Sequence, residues 1–493
     1  MRHPRRNSFV ALAIAGVSAT LMAATTLVIN LQPFRDATGF IATYSTGGDV
    51  DERNAFFQPL GTNGRTCATC HQFDEGMTLE VNHIRQRFYG SAGKDPLFAA
   101  VDGANCPDAR DGDANARSLI LNNGLIRVGV KLPPQTEFNL SVASDPYGCA
   151  ISTDPVSGNE VISVYRRPLP STSLTFLSAV MWDGRETISA LDNEGTFSEN
   201  LRADLKHQAI DAVLGHAQAQ QPPTEEQLQE ILSIEMGLYS AQISDDRAGT
   251  LYSGGGNGGP VKLHDQPYYP GMNDSLGHDP HGDGFNPKVF DLYSGWIKDS
   301  AQNDPGSSTA ERVARADIAA GEQLFNTAPL KITAVRGLND NPDLGYPTEI
   351  NGTCTTCHDS PDVGNHSLPL PLDVGVSHLA TREQDPIISA ALAQLSQPAV
   401  PVFLITNCPD PQDPSRTLSF YTSDPGKGLI TGKCRDVNRV KGPVLRGLAA
   451  RAPYFHNGSA ANLDQVVNFY DKRFQMNLSA EQKRQLKAFL SAL

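Results

Sequence analysis

The chain has 493 residues, of which 39% are hydrophobic and 19% charged, enough apolar material for two or three folded domains. Forty Lys and Arg residues against 54 Asp and Glu residues give a net charge of −14. Because a phosphate backbone is bound by a basic surface, this balance argues against nucleic acid as a partner. The 43 glycines and 34 prolines predict long loops between modest helices.

Residues 1–33 are predicted to be a signal peptide or an N-terminal anchor. Three arginines, Arg2, Arg5 and Arg6, precede an apolar run from Phe9 to Ile29. A basic start followed by an apolar run is typical of an export signal. The length of the run leaves an uncleaved membrane anchor as the alternative. We therefore expect a soluble periplasmic protein, which contacts the membrane only if the anchor is retained.

Two C-x-x-C-H motifs, at residues 67–71 and 354–358, contain four of the eight cysteines. Two thiols at this spacing add to the vinyl groups of a haem, and the adjacent histidine becomes the proximal iron ligand. A zinc site needs four ligands close together, and a redox dithiol needs no adjacent histidine. The motifs therefore predict two covalently bound haem c groups. The residues expected to bind them are Cys67, Cys70, His71, Cys354, Cys357 and His358.

The other four cysteines lack the spacing of metal or haem ligands. Outside the cytoplasm such residues tend to pair as disulfides. The simplest pairing joins Cys106 to Cys149 and Cys408 to Cys434, since each pair then stays within one haem domain. Four cysteines allow three pairings, so the other two remain alternatives.

The wide separation of the two haem motifs predicts two haem domains joined by a linker. Residues 253–260, S-G-G-G-N-G-G-P, mark the break. We predict an N-terminal haem domain over residues 34–250, a linker over residues 251–307, and a C-terminal haem domain over residues 308–493.

Helix signals outnumber strand signals along the chain. Capping boxes predict helices that begin after Thr224, Ser308 and Ser479. The clearest strand signal runs from Val402 to Ile405. The expected fold class is mainly α, with two cytochrome-c-like haem domains and long loops.

Two more motifs follow in order, W-D-G-R at residues 182–185 and L-R-x6-P-Y-F-H-x-G-S at residues 445–459. With the haem motifs, they make the chain resemble the bacterial dihaem cytochrome c peroxidase family, which includes MauG and, more distantly, the haem-dependent rubber oxygenases. The resemblance implies a catalytic N-terminal haem and an electron-transfer C-terminal haem. It also implies that Trp182 lies between them and relays charge. A plain core position is the alternative for Trp182.

The resemblance further suggests a second axial ligand for the C-terminal haem. In the family this ligand falls fourteen residues after the P-Y-F-H histidine, which is His456 here and is expected to line the haem pocket. The position is occupied by Tyr470, the residue type found in MauG, whereas the peroxidases carry Met. Met476 is the alternative ligand, and a third interpretation makes Tyr470 an ordinary core residue of an amphipathic helix.

Cleavage of the O–O bond in peroxide needs a group that takes a proton from one oxygen and returns it to the other. The peroxidases carry Gln ten residues after the tryptophan, but this chain has Asp192 there. An insertion aligns Gln208 instead, which brings His216 or Gln218 near the acid–base position. We favour His216, because imidazole transfers protons near neutral pH. Glu235 is a further candidate, and a capping role is the alternative for His216.

Two features of the family have no secure counterpart. His83, His207 and an open coordination site are all candidates for the distal side of the N-terminal iron. A Ca²⁺ ion between the domains also stays open, because the family's Thr-x-Pro stretch reads Val-Lys-Gly-Pro at residues 440–443.

The predicted function is reduction of hydrogen peroxide by an exported dihaem oxidoreductase. Its expected electron donor is a small protein, either a cytochrome c or a cupredoxin. One alternative is a MauG-like or rubber-oxygenase-like oxidation of a protein or organic substrate. The other is a dihaem electron carrier without catalysis.

Overall fold

The computed structural model describes residues 27–299, 306–364, 371–410, 413 and 415–493. Residues 1–26, which contain most of the predicted signal or anchor, lie outside this part of the chain. Within it, every helix is too short or too polar to cross a bilayer.

The prediction of a mainly α fold is wrong, because the described residues are 31% helical and 17% strand. The strands have only two to eight residues, and apart from the one that begins at Val402 none of them was predicted. Residues 160–166, E-V-I-S-V-Y-R, are rich in the β-branched and aromatic residues that favour strands. Each such run is short, so its periodicity is weak and long-range pairing decides its structure.

The α-helices follow one another as α1 Val81–Ser91, α2 Ser118–Asn123, α3 Phe197–Gly215, α4 Glu225–Glu235, α5 Pro260–His264, α6 Gly295–Asp299, α7 Thr309–Thr327, α8 Pro386–Leu392, α9 Gly428–Thr431, α10 Leu463–Arg473 and α11 Ala480–Ser491. All three predicted capping boxes are confirmed, at the starts of α4, α7 and α11. In each, the Ser or Thr side chain accepts from the backbone N–H three residues later, whose own side chain binds back to the cap.

The strands are β1 Leu27–Val28, β2 Phe34–Arg35, β3 Gly39–Ser45, β4 Val50–Asp51, β5 Ile126–Lys131, β6 Asn139–Ser144, β7 Ile151–Thr153, β8 Glu160–Arg166, β9 Leu238–Asp245, β10 Gly249–Thr250, β11 Leu330–Ile332, β12 Ile350–Gly352, β13 Val402–Pro409 and β14 Thr417–Thr422. In the described residues they form five antiparallel sheets, ordered β1-β4, β10-β9-β3-β2, β11-β12, β14-β13-β6 and β5-β8-β7. The predicted strand at residues 402–405 is confirmed as the start of β13.

One sheet joins distant parts of the chain. Strand β13 pairs with β6, so that Phe403 lies opposite Val142 and Ile405 opposite Leu140. The two predicted haem domains are therefore hydrogen-bonded to each other through their strands.

The segment predicted as a linker contributes large aromatic residues to a core. Phe290, Tyr293 and Trp296 are buried in a cluster with residues of α7 and α11. The Tyr293 hydroxyl donates to the Ala492 carbonyl at 2.5 Å. A Cβ on Gly256 would lie 2.6 Å from the Trp296 indole, so the Gly-rich run allows close packing as well as turning. The domain boundaries themselves stay a prediction.

Both predicted disulfides are present. Cys106 bonds to Cys149 with a Cα–Cα distance of 5.9 Å, and Cys408 bonds to Cys434 with one of 5.4 Å. The second bridge is buried and ties the end of β13 to the loop that follows α9. The cysteines of the two C-x-x-C-H motifs remain free thiols.

Candidate functional site

The described residues enclose two large cavities, and each contains one C-x-x-C-H motif. The N-terminal cavity surrounds Cys67, Cys70 and His71. The C-terminal cavity surrounds Cys354, Cys357 and His358. Apolar side chains make up most of the lining of both cavities.

The two motifs have the same local structure. Residues 67–69 and 354–356 form single 3₁₀ turns, each started by a reciprocal pair of threonines. In the first, Thr66 accepts from the Thr69 backbone at 3.1 Å, and the Thr69 hydroxyl accepts from the Thr66 backbone at 2.9 Å. A longer repeat, T-C-x-T-C-H, therefore underlies both motifs. These threonines were not among the predicted site residues, although their identical placement in the two motifs is visible in the sequence.

The four motif cysteines are partly buried thiols. Burial raises the pKa of Cys70 to about 11 and of Cys354 and Cys357 to about 12, since a thiolate would lose its hydration. They stay protonated, whereas the other four cysteines are oxidised. A reduced thiol is the form that adds to a vinyl group.

Both motif histidines are oriented by a backbone carbonyl. His71 Nδ1 donates to the Met77 carbonyl at 3.0 Å, and His358 Nδ1 donates to the Val363 carbonyl at 2.9 Å. Met77 and Val363 both have left-handed backbones, with φ of 60° and 61°. Because the carbonyl holds a proton on Nδ1, the lone pair lies on Nε2. Burial lowers the pKa of both imidazoles and keeps them neutral, as an iron ligand must be.

Each cavity thus presents two thiols and one neutral imidazole, the donor set that haem c requires. The residues fit this cofactor. His71 and His358 would supply the proximal nitrogens, and the cysteines would supply the thioether bonds.

A common partition separates the cavities. The residues that line both cavities, named here the shared wall, are Arg167, Pro168, Pro170, Trp182, Lys441 and Val444. The buried indole of Trp182 donates to the Arg167 carbonyl at 2.8 Å. The Trp182 carbonyl accepts from the Lys441 backbone at 2.8 Å. Trp182 is therefore fixed in the wall that the two cavities share, and its role as a relay between two haems stays a prediction.

His456 lies beside Trp182 in the C-terminal cavity. Its ring meets the indole edge to face, with 6.0 Å between the ring centroids. Its Nε2 is 3.1 Å from the Ser377 hydroxyl. Burial lowers the pKa of His456 to about 4, so it is a neutral wall residue at physiological pH.

The rest of the W-D-G-R motif forms a buried ion network. Asp183 accepts from Arg166 at 2.5 Å and from Arg185 at 3.1 Å. Arg166 also binds Asp424 through two nitrogens, at 2.6 and 2.9 Å. These bonds anchor the loop that carries Trp182, a role that the motif alone did not reveal.

Both candidate ligands for the C-terminal iron line the C-terminal cavity. Tyr470 lies on α10 and stacks on Phe474, with 5.8 Å between the ring centroids. Its hydroxyl makes no hydrogen bond within the described part of the chain, and burial raises its pKa. Met476 lies just beyond α10 in the same apolar cluster. The choice between Tyr470 and Met476 stays a prediction.

The predicted peroxide-binding residues meet in the N-terminal cavity, which Gln208, His216 and Glu235 all line. His216 follows α3 and hydrogen-bonds through Nδ1 to the buried carboxylate of Asp102, which also pairs with Arg65. Burial acts to raise the pKa of Asp102, but the charges of His216 and Arg65 outweigh it and lower that pKa. Asp102 and Arg65 were not predicted, because no motif surrounds them.

Glu235, the last residue of α4, is a buried acid. Its Oε2 has no hydrogen-bond partner within the described residues. Burial raises the pKa of Glu235 to about 8, because a carboxylate there would lose its hydration. The carboxyl is therefore protonated at neutral pH.

The alternative distal ligands lie outside this cavity's lining. His83 binds Glu75 through Nδ1, and His207 binds Glu186 at 2.7 Å. These pairs belong to the two clusters of three metal-binding side chains found in the described residues, and neither cluster includes a shared-wall residue. The calcium ion stays a prediction.

Part of the chain is similar to proteins of known class. No family model matches the chain. A 78-residue segment is 40% identical to the cytochrome-c peroxidase IdrP2 of Denitromonas iodatirespirans, covering 14% of this chain and 21% of that protein. An 81-residue segment is 35% identical to the cytochrome-c peroxidase IdrP1 of Pseudomonas sp. (strain SCT), covering 14% and 21%. A 78-residue segment is 36% identical to the cytochrome c551 peroxidase of Nitrosomonas europaea, covering 15% and 23%.

The matches span about a fifth of the length of these curated relatives. Over that segment the chain is similar to cytochrome c peroxidases, which supports a haem-c-binding oxidoreductase with peroxidase-like function. The matches do not extend the resemblance to the MauG branch.

Proposed function

We propose that the protein is a periplasmic dihaem c-type oxidoreductase that reduces hydrogen peroxide to water. Its electrons come from a small donor protein, a cytochrome c or a cupredoxin, and enter at the C-terminal haem. One observation carries the proposal: two C-x-x-C-H cavities share a wall built around Trp182. The similarity to cytochrome c peroxidases supports peroxide as the substrate.

When bound, haem supplies the redox-active iron for both electron transfer and peroxide cleavage. Reduction of one peroxide to two waters takes up two electrons and two protons, so the N-terminal cavity must also move protons. His216 is suited to do so, because Asp102 holds its Nδ1 proton and leaves Nε2 as a base. It takes a proton from one peroxide oxygen and returns it to the other. The Gln208 amide orients the peroxide by hydrogen bonding.

Glu235 replaces the protons consumed in each turnover. Its pKa of about 8 leaves the carboxyl protonated at neutral pH while keeping the proton easily lost. Within the shared wall, Trp182 passes electrons between the cavities by transient oxidation of its indole.

A second candidate function is oxidation of a protein or organic substrate, as in MauG. Tyr470 favours it, because its unbonded hydroxyl lies in the C-terminal cavity and a phenolate ligand stabilises oxidised iron. A non-catalytic electron carrier is the third candidate. It requires both irons to be closed to peroxide.

The first experiment is low-temperature EPR on the haem-loaded protein, fully oxidised and then half-reduced. A high-spin iron in either state marks an open coordination site and supports an enzyme. An open site only after half-reduction favours the peroxidase, and one already present in the oxidised state favours the MauG-like reaction. Two low-spin irons in both states, without peroxide consumption, would leave only the electron carrier.

Peroxide consumption with a reduced small cytochrome c then tests the proton path. We expect His216→Gln to lower kcat by about 100-fold, the lower end of general acid–base catalysis. His278→Gln, which changes an exposed histidine, is the matched control and should leave kcat unchanged. Equal rates for the two variants would exclude His216 from the reaction.

A further inference from the structure

Two clusters in the described residues bring a histidine and two carboxylates together, and they differ in how far their oxygens are already used. In the cluster of Asp74, Glu75 and His83, both oxygens of the buried Glu75 are hydrogen-bonded, one to His83 and the other to the Glu80 backbone N–H. That cluster is closed by the protein itself. The second cluster, named here the α3 cluster, consists of Glu186, His207 and Asp211.

The α3 cluster joins a helix to the loop that follows the W-D-G-R motif. His207 and Asp211 lie four residues apart on α3 and therefore share one face of it. Glu186 comes from the loop and is 4% exposed, and its Oε2 is 2.7 Å from His207 Nδ1. One donor atom of each side chain lies within 4.8 Å of the other two. An ion bonded to two donors at about 2.0–2.2 Å holds them at most about 4.4 Å apart, so small rotations of these side chains complete a site.

Negative charge exceeds positive charge around His207. The hydrogen bond to Glu186 raises the pKa of His207, and the charges of Glu186, Asp211 and Asp204 act in the same direction, against desolvation. A further cation, Arg185, has its Nε 3.7 Å from Glu186 Oε1, but it is shared with the carboxylate of the W-D-G-R motif. Three carboxylates therefore face one histidine and one shared arginine, and the cluster favours an added cation.

A buried carboxylate oxygen beside the α3 cluster has no partner. Asp204 lies one turn before His207 on α3 and is 1% exposed. Its Oδ1 accepts from the backbone N–H groups of Ile188 and Ser189, in the loop that carries Glu186, at 3.3 and 2.9 Å. Its Oδ2 is buried without a hydrogen-bond partner in the described part of the chain. Because a buried polar group is costly unless it is paired, this carboxylate indicates that a positive charge belongs where the loop meets the helix.

We propose that Glu186, His207 and Asp211 bind a divalent transition-metal ion, with Asp204 supporting the site from the adjacent turn. Imidazole and carboxylate donors together suit Zn²⁺, and two carboxylates with a neutral histidine balance its charge. Water fills the fourth position of a tetrahedral ion. The metal ties the loop to α3, which also carries Gln208 in the lining of the N-terminal cavity. The ion thereby stabilises the helix that presents this predicted peroxide-binding residue, and its binding does not require haem.

The test is isothermal titration calorimetry of the full-length, haem-loaded protein with Zn²⁺ after treatment with a chelator. In this form the four motif cysteines are bonded to haem, so their thiols do not compete for the metal. We expect one Zn²⁺ to bind per chain. His207→Gln should weaken this binding at least about 100-fold, because even the loss of a residue that only orients a metal ligand costs about 10–100-fold. Asp204→Asn, a change outside the set of ligands, should weaken it about tenfold.

His281→Gln is the matched control and should bind Zn²⁺ as the wild type does. The His281 side chain is 49% exposed, close to the 48% of His207, and its Nε2 is 3.1 Å from a single carboxylate, that of Glu194. If His207→Gln does not accumulate, Asp211→Asn changes an exposed ligand instead and should also weaken the binding, by about tenfold or more.

Zinc-edge X-ray absorption of the wild-type complex should show one imidazole among oxygen ligands. Equal zinc affinities of His207→Gln and the wild type would overturn the inference, as would a wild type that binds no zinc. Loss of zinc from His83→Gln but not from His207→Gln would also overturn it, because the metal would then lie at the other cluster.

Discussion

The carboxyl of Glu235 connects burial in the N-terminal cavity to a measurable pH dependence. Burial raises its pKa from an ordinary value of 4.5 to about 8. Glu235→Gln keeps the size of the side chain and removes the ionisable group. The difference between the variant and the wild type therefore measures the free-energy cost of burying a carboxyl group whose Oε2 has no hydrogen-bond partner in the described residues.

The magnitude follows from the two pKa values. Between about pH 4.5 and 8 the folded protein keeps a proton that the unfolded chain releases, so wild-type stability falls as pH rises. Each tenfold change in proton affinity corresponds to about 1.4 kcal/mol. Glutamine carries no such penalty. The difference in free energy of unfolding between Glu235→Gln and the wild type should therefore increase, in favour of the variant, by about 3 kcal/mol as the pH rises from about 5 to 7.5.

Urea unfolding, followed by circular dichroism at several pH values in this range, measures the difference. Glu226→Gln is the matched control, because Glu226 is an exposed carboxyl on the same helix. Its stability should keep a constant difference from the wild type. Parallel stability curves for Glu235→Gln and the wild type would refute the reasoning, since they require an ionised Glu235 in the folded state.

Three further predictions concern the haem sites. Trp182→Phe should retain both haems but slow electron transfer between them at least tenfold in flash photolysis; an unchanged rate would remove Trp182 from the path. Tyr470→Phe should change the optical and EPR spectra of one haem only, and unchanged spectra together with a shift in Met476→Leu would make Met476 the ligand. Asp102→Asn should destabilise the protein by about 3–5 kcal/mol in urea, because it leaves a buried guanidinium unpaired. Asp102→Asn should also lower kcat to the level of His216→Gln. A variant whose rate depends on pH as in the wild type would count against a role for the His216–Asp102 hydrogen bond.

The features of this protein that depend on local interactions could be predicted from the sequence. The haem motifs, the Thr-capped turns and the three helix caps each depend on residues within about one turn, so residue type and spacing suffice to define them. The disulfides were accessible because few cysteines remained once the haem motifs were assigned. The position of Trp182 came from resemblance to a family, and neither its spacing nor its surroundings would have indicated it.

Only the tertiary structure decided the remainder, because it depends on contacts between distant residues. Strand β6, which was not predicted, becomes part of a sheet only by pairing with the distant β13, and such pairings are why a mainly α fold was the wrong expectation. The bond between His216 and Asp102 joins residues 114 positions apart. The raised pKa of Glu235 is a consequence of burial, a property of the folded whole. The sequence by itself thus determined the two C-x-x-C-H motifs that predict haem attachment, and the fold decided which charges and protons surround them, since electrostatic energies depend on distance and hydration rather than on order along the chain.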